Sequence, residues 1–126
     1  MPFFYKIDKE RRLVMSTAAG VLSKADVLWH QDQLLKDSDF DPSFSQLSDL
    51  THVTGFDVTA AGMREMTART IFSSESRRAV IVNNELAYGL SRMFEILRES
   101  KGERGIRVFR NLEDALDWIV GKGESA

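Results

Sequence analysis

The sequence predicts a single α/β domain in which a five-stranded, mostly parallel sheet, opened by an antiparallel hairpin, is interleaved with four helices. Three observations predict it. Short β-prone runs alternate with segments of helical spacing, and nearly every helical segment follows a Ser, Thr, Asp or Asn able to cap it. One run, Ala79-Val80-Ile81-Val82, is apolar without a break, as expected of a central strand covered on both sides.

Phe3 to Asp8 and Arg12 to Thr17 are β-prone and joined by the charged Lys9-Glu10-Arg11, which predicts a hairpin. Ser23-Lys24-Ala25-Asp26 forms a capping box with Asp in place of Glu, so a helix runs from about Lys24 to Lys36, with Leu28, Gln31, Leu34 and Leu35 facing one way. The turn formers of Asp37 to Pro42 precede a third strand, Phe44 to Leu50, after which Thr51 to Gly55 leads out of the sheet. Ala60, Met63, Met66 or Thr67, and Ile71 are spaced as a second helix, capped by Asp57 or Thr59 and ended by Ser73 to Ser76. Leu86, Leu90, Met93, Phe94 and Leu97 form the stripe of a third helix after Asn83 or Asn84, closed by Lys101-Gly102 and Gly105. Ile106 to Phe109 alternates as a half-buried strand. Asn111 then caps a last helix whose Leu112, Ala115, Leu116, Ile119 and Val120 face inward, and the tail from Gly121 to Ala126 is expected to fray. If consecutive strands are also neighbours in space, right-handed crossovers put every connecting helix on one side, leaving the opposite sheet face thinly covered and open to a partner.

At 126 residues, 43% hydrophobic and 29% charged, the chain is expected to be one domain, 1–126, with one core. It has no cysteine, which excludes disulfides and thiolate metal sites. The early charges Lys6, Asp8, Lys9 and Glu10 leave no signal-peptide core and no membrane-spanning run, so a cytoplasmic location and no membrane insertion are expected. Lys+Arg 17 against Asp+Glu 19 speaks against a nucleic-acid partner. The charge is uneven: residues 32–57 carry six Asp against one Lys, residues 64–110 ten Lys/Arg against six Glu. Such polarity can orient a partner or a second copy, although solvated helix faces account for most charge runs.

No G-x-G-x-x-G or G-x-x-x-x-G-K-[ST] appears, which removes the common nucleotide cradles. The acidic pair of a phosphoacceptor domain is missing, and Asp49 and Lys101 stand in the wrong contexts for its other residues. His30 lies in a helix; His52 follows the third strand near Asp49, Thr51, Thr54 and Asp57, a candidate for catalysis or metal binding, although polar loop residues after a strand mostly satisfy backbone groups. The loop Thr51 to Thr59 falls where α/β ligand sites form, and Thr54 and Thr59 offer hydroxyls for phosphorylation or, for Thr59, helix capping. Gly89 interrupts the best helix, for close packing or for a ligand near the backbone. Tyr88 and Arg92 share a helix face beside it and could hold an anionic or amphipathic ligand, or Arg92 could pair with a neighbouring Glu. Met63, Met66, Met93, Phe72 and Phe94 are expected between the middle helices, as adaptable binding surface or as core.

From Tyr5 to Val120 the chain resembles the small bacterial proteins of the STAS/SpoIIAA-like superfamily, in particular the stand-alone SpoIIAA-like group related to STAS and Sec14-type domains. The resemblance is carried by Arg12-Leu13-Val14 with Gly20, Asp39-Phe40-Asp41-Pro42 before Leu47-Ser48-Asp49-Leu50, Arg77-Arg78-Ala79-Val80, Tyr88 to Phe94, and Val108-Phe109-Arg110 before Glu113 to Trp118. It implies a SpoIIAA-like βα superhelix with no cofactor, no metal and no enzyme activity, and functions such as anti-sigma-factor antagonism, regulation of transporters and sensors, or apolar-ligand binding. The sporulation regulators carry a phosphorylatable Ser in a D-x-S-G-type loop; Thr54-Gly55-Phe56-Asp57-Val58-Thr59 has no Ser there.

Two functions follow from these readings. The first is a regulatory protein-interaction module, a homodimer or the partner of another regulatory protein, docking through Thr51 to Thr59, the Met-containing second helix and the thinly covered sheet face. The second is a binder of a small apolar or amphipathic ligand between the second and third helices, with Tyr88 and Arg92 at the mouth. Thr54, Asp57, Thr59, Met63, Tyr88, Gly89 and Arg92 are the candidate binding residues; no catalytic set can be assembled.

Overall fold

The computed structural model describes residues 3–100 and 105–121. Lys101-Gly102 and the tail beyond Gly121 therefore lie outside the described residues. The elements are β1 (Phe3–Asp8), β2 (Leu13–Ser23), α1 (Lys24–Lys36), β3 (Ser45–Asp57), α2 (Ala60–Ala68), β4 (Arg78–Ile81), α3 (Glu85–Glu99), β5 (Ile106–Phe109) and α4 (Leu112–Ile119). The strands lie in the order β1-β2-β3-β4-β5, with β1 antiparallel to β2 and all other pairs parallel. This is the α/β sheet with an opening hairpin that the alternation predicts.

The caps fall where the sequence puts them. Ser23 and Asp26 form the reciprocal capping box of α1, and Thr59, Asn84 and Asn111 each accept a backbone N–H of the first turn of α2, α3 and α4.

Two strands are longer than the sequence suggests. β2 continues to Ser23, and β3 does not leave the sheet at Thr51 but pairs with β2 through Asp57, so that only Val58 and Thr59 connect it to α2. Because β4 pairs with β3 only from Gln46 to Asp49, the ends of β2 and β3 project beyond the sheet as a two-stranded ribbon. Register shifts between Thr17 and Ala19 and between Gly20 and Val21 interrupt its ladder, and Gly20, at φ 72°, supplies a conformation that side chains disfavour. Leu22, Leu50 and Val53 are thereby buried.

α1, α2 and α3 lie on one face of the sheet, as right-handed crossovers require. The expectation of a thinly covered opposite face is corrected by α4, which follows the last strand and is free to fold under the sheet. Its Ala115 and Trp118 pack on Leu13, Leu47, Ala79 and Ile81. Leu112 and Val120, expected inside, are exposed, because Trp118 takes the central position. α3 is turned as well: Ala87, Ser91, Glu95 and Arg98 are its buried face, while Leu86, Met93 and Ile96 are exposed.

Candidate functional site

The site follows from how α2 is held. α1 packs on β1 and β2 and α3 on β3 and β5, whereas the principal contacts of α2 are with α1 and α3 and not with a strand. α2 thus spans the two helices like an arch. It is tied to α1 by charge: Lys24 of α1 pairs with Glu65 in the middle of α2 at 2.8 Å, and Arg69, just past α2, pairs with Asp32 of α1. On the other side the buried Arg98 of α3 donates to the carbonyls of Thr67 and Arg69 at 2.6 and 2.7 Å, capping the C-terminal end of α2.

Beneath the arch is a cavity. Its unfilled space, opening included, is ≈ 950 Å³, and the part reachable by the centre of a water molecule is ≈ 140 Å³. One water needs roughly 10–15 Å³ by the second measure, so the space suits a small molecule rather than a lone solvent. Leu22, Leu50, Phe56, Val58, Met63 and Leu90 line one end. Leu34, Met66, Ile71, Phe72 and Phe94 line the other, and the polar lining residues are His30, Gln31, Gln46, Ser48, Arg78 and Ser91.

Strand register places the sheet's share of these polar residues. Gln46 and Arg78 are Cα partners on β3 and β4, in one row with Val14 and Ile106, and Ser16 and Ser48 occupy the next row. The row lies at the N-terminal ends of the parallel strands, opposite the end where α/β ligand sites usually form. Gln46, Ser48 and Arg78 line the cavity, and the Arg78 guanidinium stands 4.9 Å from the Phe72 ring centre. α1 supplies His30 and Gln31 from above. His30 is stacked on Phe3 and bonded to Ser16, and burial pushes its imidazole down to about 4. Gln31 is 8% exposed, and its Oε1 has no hydrogen-bond partner.

The candidate residues from the sequence are dispersed around this cavity. Met63 lines it, as do Met66, Phe72 and Phe94, while Met93 is exposed. Thr59 holds the α2 cap at 3.0 Å from Gly62 N. Thr54 and Asp57 are exposed at the end of β3. Tyr88 and Arg92 do not touch the cavity; they line a separate polar depression with Glu95, Glu99 and Arg107, where Arg92 pairs with Glu95 and Arg110 lies 4.3 Å from the Tyr88 ring centre. Gly89 faces open space. His52 is exposed, with Nδ1 3.3 Å from Thr51 Oγ1, and no group of metal-binding side chains forms among the described residues. No helix among the described residues is long and apolar enough to cross a membrane.

Gln31, Gln46, Ser48 and Arg78 were not singled out by sequence reasoning. A signal existed: Gln31 sits on the inward stripe of α1, and Gln46 and Ser48 share the parity of Leu50, so each is a polar residue in an apolar position.

No family model and no curated protein matches the sequence. Among the solved structures that are similar, two match over almost the whole chain. One is an uncharacterized protein of the DUF3478 family with a SpoIIAA-like fold from Shewanella loihica PV-4, 21% identical, covering 93% of each chain at a TM-score of 0.62. The other is an anti-sigma factor antagonist from Mycobacterium paratuberculosis, 14% identical, covering 94% of each chain at a TM-score of 0.57. At these identities the likeness establishes the fold: the chain has the SpoIIAA-like fold that its sequence resembles.

Proposed function

We propose that this chain is a non-enzymatic, cytosolic regulatory module that encloses a small apolar or amphipathic molecule beneath α2. The observation that carries the reading is the arch itself: a helix held by its neighbours and not by the sheet, over a cavity whose walls are mostly apolar. Close packing is the rule in protein interiors, and an unfilled space of this size forfeits dispersion contacts that a ligand restores. The buried amide of Gln31 adds to the cost, since an unsatisfied polar atom is worth about 1–3 kcal/mol.

Native mass spectrometry of the protein taken directly from cells tests this, with a retained small-molecule mass as the expected result. Titration with the neutral dye N-phenyl-1-naphthylamine should brighten its emission, and Met63→Trp, which fills the apolar end, should abolish the change. A clean apo mass together with dye emission unaffected by the protein counts against the reading.

A second reading, self-association, is favoured by the outer face of α3. Leu86, Met93 and Ile96 are exposed there at 58%, 45% and 54%, with Gly89 between them leaving room for a close approach. Sedimentation across a concentration series should show a dimer that Met93→Glu returns to monomer; a monomer at all concentrations removes it.

A further inference from the structure

The polar lining of the cavity contains more than the fold requires, and what it leaves unsatisfied bears on the chemistry of the occupant. Ser16, His30 and Gln46 satisfy one another: Gln46 Nε2 donates to Ser16 Oγ at 3.0 Å, and that hydroxyl lies 2.9 Å from His30 Nε2. Gln31, the next residue along α1, has no share in this network. Its side chain lines the cavity more than nine-tenths buried, and its Oε1 accepts nothing. An amide in that position asks for a group that donates a hydrogen bond and accepts one in return.

Resting on the proposed ligand-binding role, we infer that the cavity selects a neutral amphiphile whose hydroxyl or primary amide meets the Gln31 side chain, with its apolar body directed toward Leu50, Phe56 and Met63. A carboxylate has no proton for Gln31 Oε1. An ammonium donates to Oε1 but has no lone pair to accept from Nε2 in return. An alcohol or amide meets both demands and adds no charge to an apolar enclosure. Leu22, Leu50, Phe56, Val58 and Met63 supply the apolar wall for the amphiphile's apolar body.

Competition against bound N-phenyl-1-naphthylamine at pH 8 tests the inference, with 1-decanol, decanamide, decanoate and decylammonium as competitors. 1-Decanol and decanamide should displace the dye about tenfold more tightly than either ion, the factor that one buried hydrogen bond supplies. Gln31→Leu should keep dye binding and erase the preference, and Gln31→Met should do the same if the leucine variant is poorly folded by circular dichroism. Decanoate or decylammonium competing as well as 1-decanol, or the preference surviving both substitutions, overturns the inference while leaving the cavity reading intact. Dye that fails to bind the unmodified protein overturns both.

Discussion

Ser16 Oγ on β2 stands 2.9 Å from His30 Nε2 on α1, buried between the sheet and the helix. The hydroxyl already accepts from Gln46, so its own proton is available to the imidazole, which burial keeps neutral. Phe3 stacks on the ring at 4.0 Å between centroids and Tyr5 meets it edge-on at 5.4 Å, so that His30 is only 2% exposed.

Acid sensitivity follows from that burial. In the unfolded chain the imidazole takes up its proton near pH 6.5, in the folded chain only near pH 4, so between these values the unfolded state binds more protons. Stability is complete above pH 6.5 and falls as the pH drops toward 4, by about 3 kcal/mol if His30 acts alone. Urea unfolding at a series of pH values should show this slope, and His30→Gln, which can still bond Ser16, should flatten it. An unchanged slope in the variant would place the acid sensitivity elsewhere.

Tyr5 works in the opposite pH direction. Its hydroxyl donates to Asp37 Oδ2 at 2.8 Å, tying β1 to the end of α1, and burial first, then that bond and the Asp37 charge, push it up to about 12. The folded state keeps a proton that the unfolded state loses near pH 10, so this contribution is lost as the pH rises from 10 toward 12. Tyr5→Phe should cost about 1 kcal/mol at neutral pH by urea unfolding. Its ultraviolet titration should lack the late tyrosinate phase of the parent protein.

The caps at Ser23, Thr59, Asn84 and Asn111 sit in local patterns, which spacing reveals, and the parallel pairing of β2 to β5 followed from the alternation of strands and helices. The extension of β3 to Asp57 was hidden because its support is remote: Gly55 is the Cα partner of Val21, and the ribbon exists only because β2 extends equally far. The outward turn of α3 was hidden for a similar reason, since its inner face is spent on Arg98 and the carbonyls past α2. Gln31 was visible on the inward stripe of α1, but its amide gains meaning only from the cavity that the arch of α2 creates.

The ion pairs that tie α1 to the α2 region should govern exchange more than stability. Lys24–Glu65 and Asp32–Arg69 are both substantially exposed, and such pairs contribute about 0–1 kcal/mol to folding. They nevertheless bridge the seam over the cavity, where a small loosening lets a ligand pass. In about 1 M salt the Debye length falls to about 3 Å, so dye release followed by stopped flow should quicken several-fold while the urea midpoint moves little. Glu65→Gln should reproduce the faster release at low salt; a rate indifferent to both changes would place the exit elsewhere.

Two glycines make opposite predictions about added bulk. A Cβ on Gly105 would lie 1.9 Å from the Ser76 carbonyl oxygen, with backbone on both sides, and Gly105 O also accepts from Arg78 N at 2.6 Å, so the segment cannot shift without loosening the start of β4. Gly105→Ala should therefore cost several kcal/mol, at the level of a core overpacking or more. Gly89 has nothing within 4 Å of the same position and lies within α3, so Gly89→Ala should gain about 0.5–1 kcal/mol from helix propensity, read as a higher melting temperature. If α3 pairs with a second copy through this face, the added methyl sits at the crossing, and the gain should be confined to dilute protein. Melting at low and high concentration separates the cases: a gain independent of concentration leaves Gly89 without a role in association, whereas a gain that shrinks or reverses as the protein is concentrated assigns it to the contact.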